Sequence, residues 1–421
     1  MFSSARLGAA ALLCLSATFL PACGSDKPST ESTAESTVAP ASTDTATSDS
    51  AGDSTVSDSV SAVVDSSVAV DSVAAETTLA AGTAVQGKGL EASDPKRCEA
   101  NRAAGKITYL SGFDLAASAS IVEIVVAQKK GYFEAMCLQV DVKASFSTAN
   151  YPLVGANTAQ FASAGSSAEL LNFRKDGADF VAVVQDGKQG IDALLVRPEA
   201  NIKTPADLKG KTIGVKGALP PAEVALLAKY GLKQGKDYKE VSLQGFDPKQ
   251  HWAQPIDALP VYKSNEPGQL DAAGLKYQVL DPAAEGIPGS FGIIYTNRAF
   301  LDAHPTAAQD FVRAALRGLE DALADPDAAA ATCFEAITAA GNKNFLSSDG
   351  ELFRWRREAE IVKASTPVGE PVGLVHKSDL EAIVTTYTAA GVWPTAPSID
   401  GSYDETIARD VYGPDGKVIW P

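Results

Sequence analysis

Histidine is nearly absent: the chain has three in 421 residues, none at ligand spacing from another. That leaves little imidazole for a metal centre or a proton relay. Basic clusters are missing as well. Lys+Arg 36 against Asp+Glu 52 gives a net charge of −16, which excludes a surface built to neutralise nucleic-acid phosphates. No apolar run reaches the roughly 20 residues that a membrane-spanning helix needs. Gly-x-Ser-x-Gly, a P-loop and His-Glu-x-x-His are all lacking, so the common hydrolase and nucleotide signatures give no footing. What is there is a chain with 45% hydrophobic residues, enough for one large or two medium domains with a sizeable core.

The charge is uneven. Residues 1–22 carry only Arg6, residues 24–97 carry twelve acids and four bases, and the remainder is only mildly acidic. Leu7–Leu20 is a largely apolar run of fourteen residues, too short to span a bilayer, and residues 1–22 read as a signal peptide. Leu20-Pro21-Ala22-Cys23 resembles the lipobox of bacterial lipoproteins, which implies lipidation of Cys23 and a membrane anchor; an ordinary secretory signal is the alternative, and both export the chain. Residues 23–97 follow as a Ser/Thr-rich tether without aromatics or periodicity, unable to bury enough surface to offset chain entropy.

From Lys106 onward short β-rich runs alternate with helical ones. Strands are expected at Lys106–Leu110, Leu138–Lys143, Gln160–Ala164, Phe180–Val184, Asp192–Val196, Lys211–Val215, Glu240–Leu243, Ala258–Tyr262, Tyr277–Leu280 and Gly292–Thr296. Helices are expected at Ser118–Lys130, Glu169–Lys175, Pro221–Tyr230 and through most of the chain after Ala299. This alternation predicts an α/β protein with mostly parallel sheets, and two such sets predict two lobes with a cleft between them. Cys98 and Cys137 each precede one of the first two strands and fall at one edge of a parallel sheet, so a Cys98–Cys137 bridge is expected, with Cys333 free on a helix.

Gly131-Tyr132-Phe133, Cys137-Leu138-Gln139-Val140, Arg174-Lys175-Asp176-Gly177 and Ile202–Val215 with its Asp-Leu-Lys-Gly-Lys-Thr-Ile-Gly-Val together resemble solute-binding proteins of ABC importers. The branch is the one covering alkanesulfonates, taurine, nitrate and thiamine-pyrimidine precursors, and the resemblance spans about Lys106–Trp393. It implies a type II periplasmic-binding-protein-like fold that closes on its ligand by a hinge, with lobe I at 98–195 plus 291–421 and lobe II at 196–290. The crossing strands would be Ala193–Val196 and Gly292–Thr296. It also implies a small-molecule ligand, an ABC permease with a cytoplasmic ATPase as partner, a monomer and no cofactor. Fungal-type thiamine pyrimidine synthases share the fold but use a histidine and a cysteine-rich iron motif; no cysteine cluster occurs here, so a binding protein is expected rather than an enzyme.

Ligands of open α/β sheets sit at the carboxyl ends of strands, so the loops there supply the site candidates. Phe113 and Asp114 leave the first strand, in a loop whose amides are expected to face the ligand. Ser166 and Ser167 leave the third, and Trp252 is a candidate cleft wall. Tyr262, Asn265 and Glu266 follow a strand of the second lobe, Tyr262 to stack and Glu266 to accept from ring-amine donors. That pairing predicts a flat nitrogen heterocycle of the thiamine-pyrimidine type ahead of alkanesulfonates, taurine or nitrate, with riboflavin-like ligands as a further alternative and a non-transport lipoprotein as the rival class.

Overall fold

A computed structural model describes residues 92–174, 177–341 and 347–421. The signal peptide, Cys23 and nearly all of the expected tether lie outside the described residues. The tether was expected to run through residue 97, but helix α1 already starts at Pro95 (Pro95–Ala103). Asp94 sets this start: its side chain accepts from the Lys96 N–H, and Pro95 gives up no amide in the first turn.

The first lobe then lays down β1 (Lys106–Leu110), α2 (Val122–Lys129), α3 (Tyr132–Ala135), β2 (Gln139–Lys143), α4 (Ser147–Gly155), β3 (Phe161–Ala164), α5 (Ser167–Arg174) and β4 (Phe180–Gly187). The second lobe contains β5 (Asp192–Val196), β6 (Thr212–Val215), α6 (Pro221–Lys229), β7 (Lys239–Ser242), α7 (Pro248–Trp252), β8 (Ala258–Tyr262), α8 (Glu266–Ala272) and β9 (Gln278–Leu280). The chain returns through β10 (Phe291–Asn297) to helices α9 (Arg298–Ala303), α10 (Pro305–Ala324), α11 (Pro326–Ala339), α12 (Ser348–Ser365) and α13 (Lys377–Ala389).

The sheets follow one plan. Their strand orders are β2-β1-β3-β10-β4 and β7-β6-β8-β5-β9. In each, the first three strands are parallel and the fourth runs antiparallel to both neighbours. β5 therefore lies wholly in the second sheet, which corrects the expected boundary after residue 195. Four of its five residues are fully buried, and it needs β8 and β9 on either side to satisfy its backbone. Neither β5 nor β10 crosses between sheets; the chain crosses at 188–191 and at 281–290. The two crossing segments touch at Gly190 and Gly289, where a Cβ on Gly289 would meet the Gly190 backbone at 2.8 Å.

Helix α10 carries the first lobe's core, packing Phe311 face to face on Phe161 with ring centroids 3.9 Å apart. Cys98 of α1 and Cys137, just before β2, form a disulfide with Cα atoms 5.2 Å apart, and Cys333 is buried in α11. The bridge spans 39 residues. Replacing both of its cysteines by Ser is expected to lower stability by about 2–4 kcal/mol, chiefly by freeing the unfolded chain. The check is a urea titration: a lower midpoint with a steeper slope is the expected result, since the freed unfolded chain exposes more surface, and an unchanged midpoint refutes it.

Candidate functional site

Loops from the carboxyl ends of both sheets converge on a cavity of about 500 Å³. From the first lobe come Phe113 and Asp114 after β1, Phe146 after β2 and Glu169 after β3. From the second come Lys216 after β6, Phe246 after β7, and Tyr262, Ser264, Asn265 and Glu266 around the end of β8. Helix α12 supplies Arg354 and Glu358. Four rings therefore line the cavity, two from each lobe, and Phe113, Phe146, Phe246 and Tyr262 are 39 to 64% exposed there. Rings this exposed inside a cleft present apolar surface of the kind that a ligand covers.

The charges are mostly paired. Glu266 Oε1 lies 2.8 Å from Lys216 Nζ, and Oε2 accepts the Tyr262 N–H at 2.9 Å. Glu266 lines the cavity but is buried, and the turn after β8 folds its carboxylate back onto the strand end, so it already carries protein partners where a free acceptor was expected. It fixes Tyr262 and cancels the charge of Lys216. Asp114 sits at φ 53°, with Oδ1 accepting the Leu115 N–H at 2.8 Å, and burial raises its pKa. Its second oxygen has no protein donor among the described residues.

The loop amides expected to face the ligand are spent within the protein: Asp114, Ala116 and Ser118 donate to backbone carbonyls, while Leu115, Ala117 and two amides just past the loop donate to carboxylates. Ala117 donates to Glu351 Oε2 at 2.5 Å, Ala119 to Glu358 Oε2 at 2.6 Å and Ser120 to Asp186 Oδ2 at 2.7 Å. These bonds hold residues 117–120 out of helical geometry, which is why α2 begins at Val122 rather than at Ser118.

Two serines and a tryptophan are corrected too. Ser166 Oγ accepts the Glu169 N–H at 3.2 Å and caps α5. Ser167 is buried, donating its N–H to Ser290 Oγ at 2.9 Å and its hydroxyl to Gln185 Oε1 at 3.0 Å. Neither lines the cavity. Trp252 belongs to the second lobe's core, with the Arg197 guanidinium 4.9 Å from its ring centre. Phe113, Asp114, Tyr262, Asn265 and Glu266 do come together around the cavity. The sequence reading passed over Phe146 and Phe246 as ligand candidates, although both follow strand ends and the rule that picked Phe113 would have found them. Arg354 and Glu358 carry a weaker signal: with Glu351 they form a charged stripe spaced three and four residues apart on a helix.

Three comparisons bear on this geometry. The chain is 31% identical over 213 residues to "Riboflavin-binding protein RibY" of Chloroflexus aurantiacus, a match covering 48% of this chain and 59% of that protein. The periplasmic aliphatic sulphonate binding protein SsuA from Escherichia coli superposes with a TM-score of 0.53 at 15% identity, over 70% of this chain and 91% of its own. The alkanesulfonate-binding protein SsuA from Xanthomonas axonopodis pv. citri, bound to MOPS, gives 0.51 at 15% identity, over 71% and 98%. At that identity the likeness establishes the two-lobed periplasmic-binding-protein fold. A family profile described as NMT1/THI5 like matches residues 118–329, just over half of the sequence, and the chain belongs to that family.

Proposed function

We propose that this chain is the solute-binding component of an ABC importer, and that it captures a flat aromatic nitrogen heterocycle of the riboflavin type between its lobes. The observation that carries this reading is the set of four half-exposed rings, Phe113 and Phe146 facing from one lobe and Phe246 and Tyr262 from the other. Rings on both walls suit a planar solute stacked between them. The cavity of about 500 Å³ exceeds what one pyrimidine ring fills, so an isoalloxazine ranks ahead of a thiamine-pyrimidine precursor. The name of the Chloroflexus relative supports the same ranking. Asp114 would accept from the ligand's N–H or hydroxyl edge. Anions rank last: Lys216 and Arg354 are each paired with a carboxylate, and Asp114, Glu169 and Glu358 also line the wall. No cavity-lining residue among those described is a histidine or cysteine, which favours capture over catalysis. Export by residues 1–22, a lipid on Cys23 and the tether would hold the lobes near a permease driven by a cytoplasmic ATPase.

The test is a titration of the full chain with riboflavin, followed by quenching of flavin fluorescence, with a thiamine-type aminopyrimidine and an alkanesulfonate in parallel. Saturable quenching is expected, and Tyr262→Ala or Phe113→Ala should each weaken it by roughly 5- to 150-fold, given about 1–3 kcal/mol per stacked ring. Binding of the sulfonate alone, indifferent to both changes, would sink the reading.

A further inference from the structure

Two bridges join the lobes besides the crossing segments, and they differ in kind. On one side α6 of the second lobe packs against α5 and α13 of the first through Ala222, Leu226, Leu171 and Ile383. Such apolar contact is non-directional and tolerates sliding. On the other side the bridge centres on α12, where Phe353 packs on Gly268 of α8 and directional polar contacts are added to it.

Helix α12 belongs to the first lobe, whose core takes in Trp355, Ala359, Ile361 and Val362 from it. Its other face carries Glu351, Arg354 and Glu358, all buried. Each of them reaches the first lobe's cavity wall: Glu351 takes the Ala117 N–H, Glu358 takes the Ala119 N–H and the Ser118 hydroxyl, and the Arg354 guanidinium lies 5.9 Å from the centre of the Phe113 ring. Two of the three also reach the second lobe. Glu358 Oε1 accepts the Ser264 hydroxyl at 2.7 Å, and Arg354 donates to Asn265 Oδ1 at 2.8 Å. Glu351 accepts from Arg354 and keeps its charge compensated. Arg354, Glu358, Ser118, Ser264 and Asn265 all line the cavity.

We infer that this stripe on α12 is a clasp: it locks the second lobe to the first at the wall of the ligand cavity and thereby sets how far the lobes stand apart. The reason lies in direction. Charged hydrogen bonds are short and geometrically exacting, so two of them anchored in a helix of one lobe define the position of the other lobe more narrowly than the apolar bridge does. Partial release is also costly, since Arg354 and Glu358 are buried and each gives up a charge-assisted hydrogen bond before water can replace it. The clasp is therefore made or broken as a unit, the property a two-state element needs. A ligand seated on Phe113 and Tyr262 would touch the parts that the clasp positions, so its occupancy and lobe separation are coupled.

The test needs no ligand, so it stands apart from the identity proposed above. Nitroxides coupled to unnatural residues at Lys129 in the first lobe and Lys236 in the second report the interlobe distance in the full chain. The double variant Ser264→Ala/Asn265→Ala cuts only the second-lobe ends of the clasp and leaves α12 with its first-lobe partners. The expected result is a broadened distribution shifted to longer distances, with the Ala117 and Ala119 amides still protected from hydrogen exchange. Glu358→Ala should broaden the distribution too, and should in addition lower protection at Ala119 by on the order of 10- to 100-fold, the worth of a hydrogen bond to a charged acceptor. Unchanged distances in both variants would overturn the clasp, even if both melt earlier, because lost stability alone is what plain core residues would show.

Discussion

Asp310→Ala is expected to destabilise the chain by about 3–5 kcal/mol and to lower its Tm by on the order of 10 °C. Asp310 in α10 is fully buried and accepts from Arg97 at 2.6 and 3.0 Å, from Arg313 at 3.0 Å and from Asn101 at 2.7 Å. Arg97 and Arg313 are 1% and 3% exposed, so neither can turn to water when the carboxylate is removed. Deleting the shared acceptor takes the carboxylate from two buried guanidinium groups, which keep neutral acceptors such as Gln309 Oε1 and the Ile419 carbonyl, and removing one partner of a buried ion pair costs far more than making the pair gained. The network also fastens α1, the first described helix, to the core, so the loss is global rather than confined to one end. Thermal unfolding followed by circular dichroism measures it, with Arg356→Ala as the control. Arg356 pairs with Asp327 in the open, and screening leaves such a pair little to contribute. A Tm change in Asp310→Ala no larger than in the control would refute the argument.

The sequence exposed the sheets well and the cavity unevenly, for physical reasons. Strand runs such as Phe180–Val184 and Gly292–Thr296 are continuous apolar stretches because both faces are covered, and that pattern survives any tertiary rearrangement. The lobe boundary was misplaced because β5 and β10 look like every other buried strand: nothing local says which sheet an antiparallel inner strand joins. Tyr262 and Phe113 were legible as residues leaving strands. Glu266 was legible in place but not in role, since the Lys216 that neutralises it is fifty residues away. Arg354 is buried although its sequence neighbours Arg356 and Arg357 are exposed. Its burial follows from the second lobe lying against α12, which a helix read alone cannot reveal.

Glu123→Gln is expected to make the chain more stable at pH 8 and to flatten part of its pH dependence. Glu123 and Asp186 are fully buried side by side beneath the cavity wall, and Glu123 Oε1, Glu123 Oε2 and Asp186 Oδ1 have no donor. Two bare carboxylates cannot share such a site, so a proton must lie between them. Burial accordingly lifts the Glu123 carboxyl well above its ordinary range, with Asp186 as the next cause, and burial likewise pushes Asp186 up to about 7. Folded pKa values above the unfolded ones mean that the native state holds more protons through the interval between them. Stability from this pair is therefore fully present below the ordinary carboxylate range and is lost as pH rises through the folded values, about 7 for Asp186 and the raised value of Glu123. A glutamine amide at position 123 can donate to Asp186 as the shared proton does, at any pH. Urea unfolding at pH 4.5, 6 and 8 is the measurement, and the difference between variant and parent should be near zero at the lowest pH and grow in the variant's favour. Asp192, raised by burial to about 6, keeps its own slope of the same sign in both chains, so only the difference isolates the pair. Parallel curves would show that no proton is shared. The expected divergence would mean that the Ser120 amide in the cavity wall rests on a carboxylate kept in place by its neighbour's proton, so the wall is held most firmly where that proton stays bound.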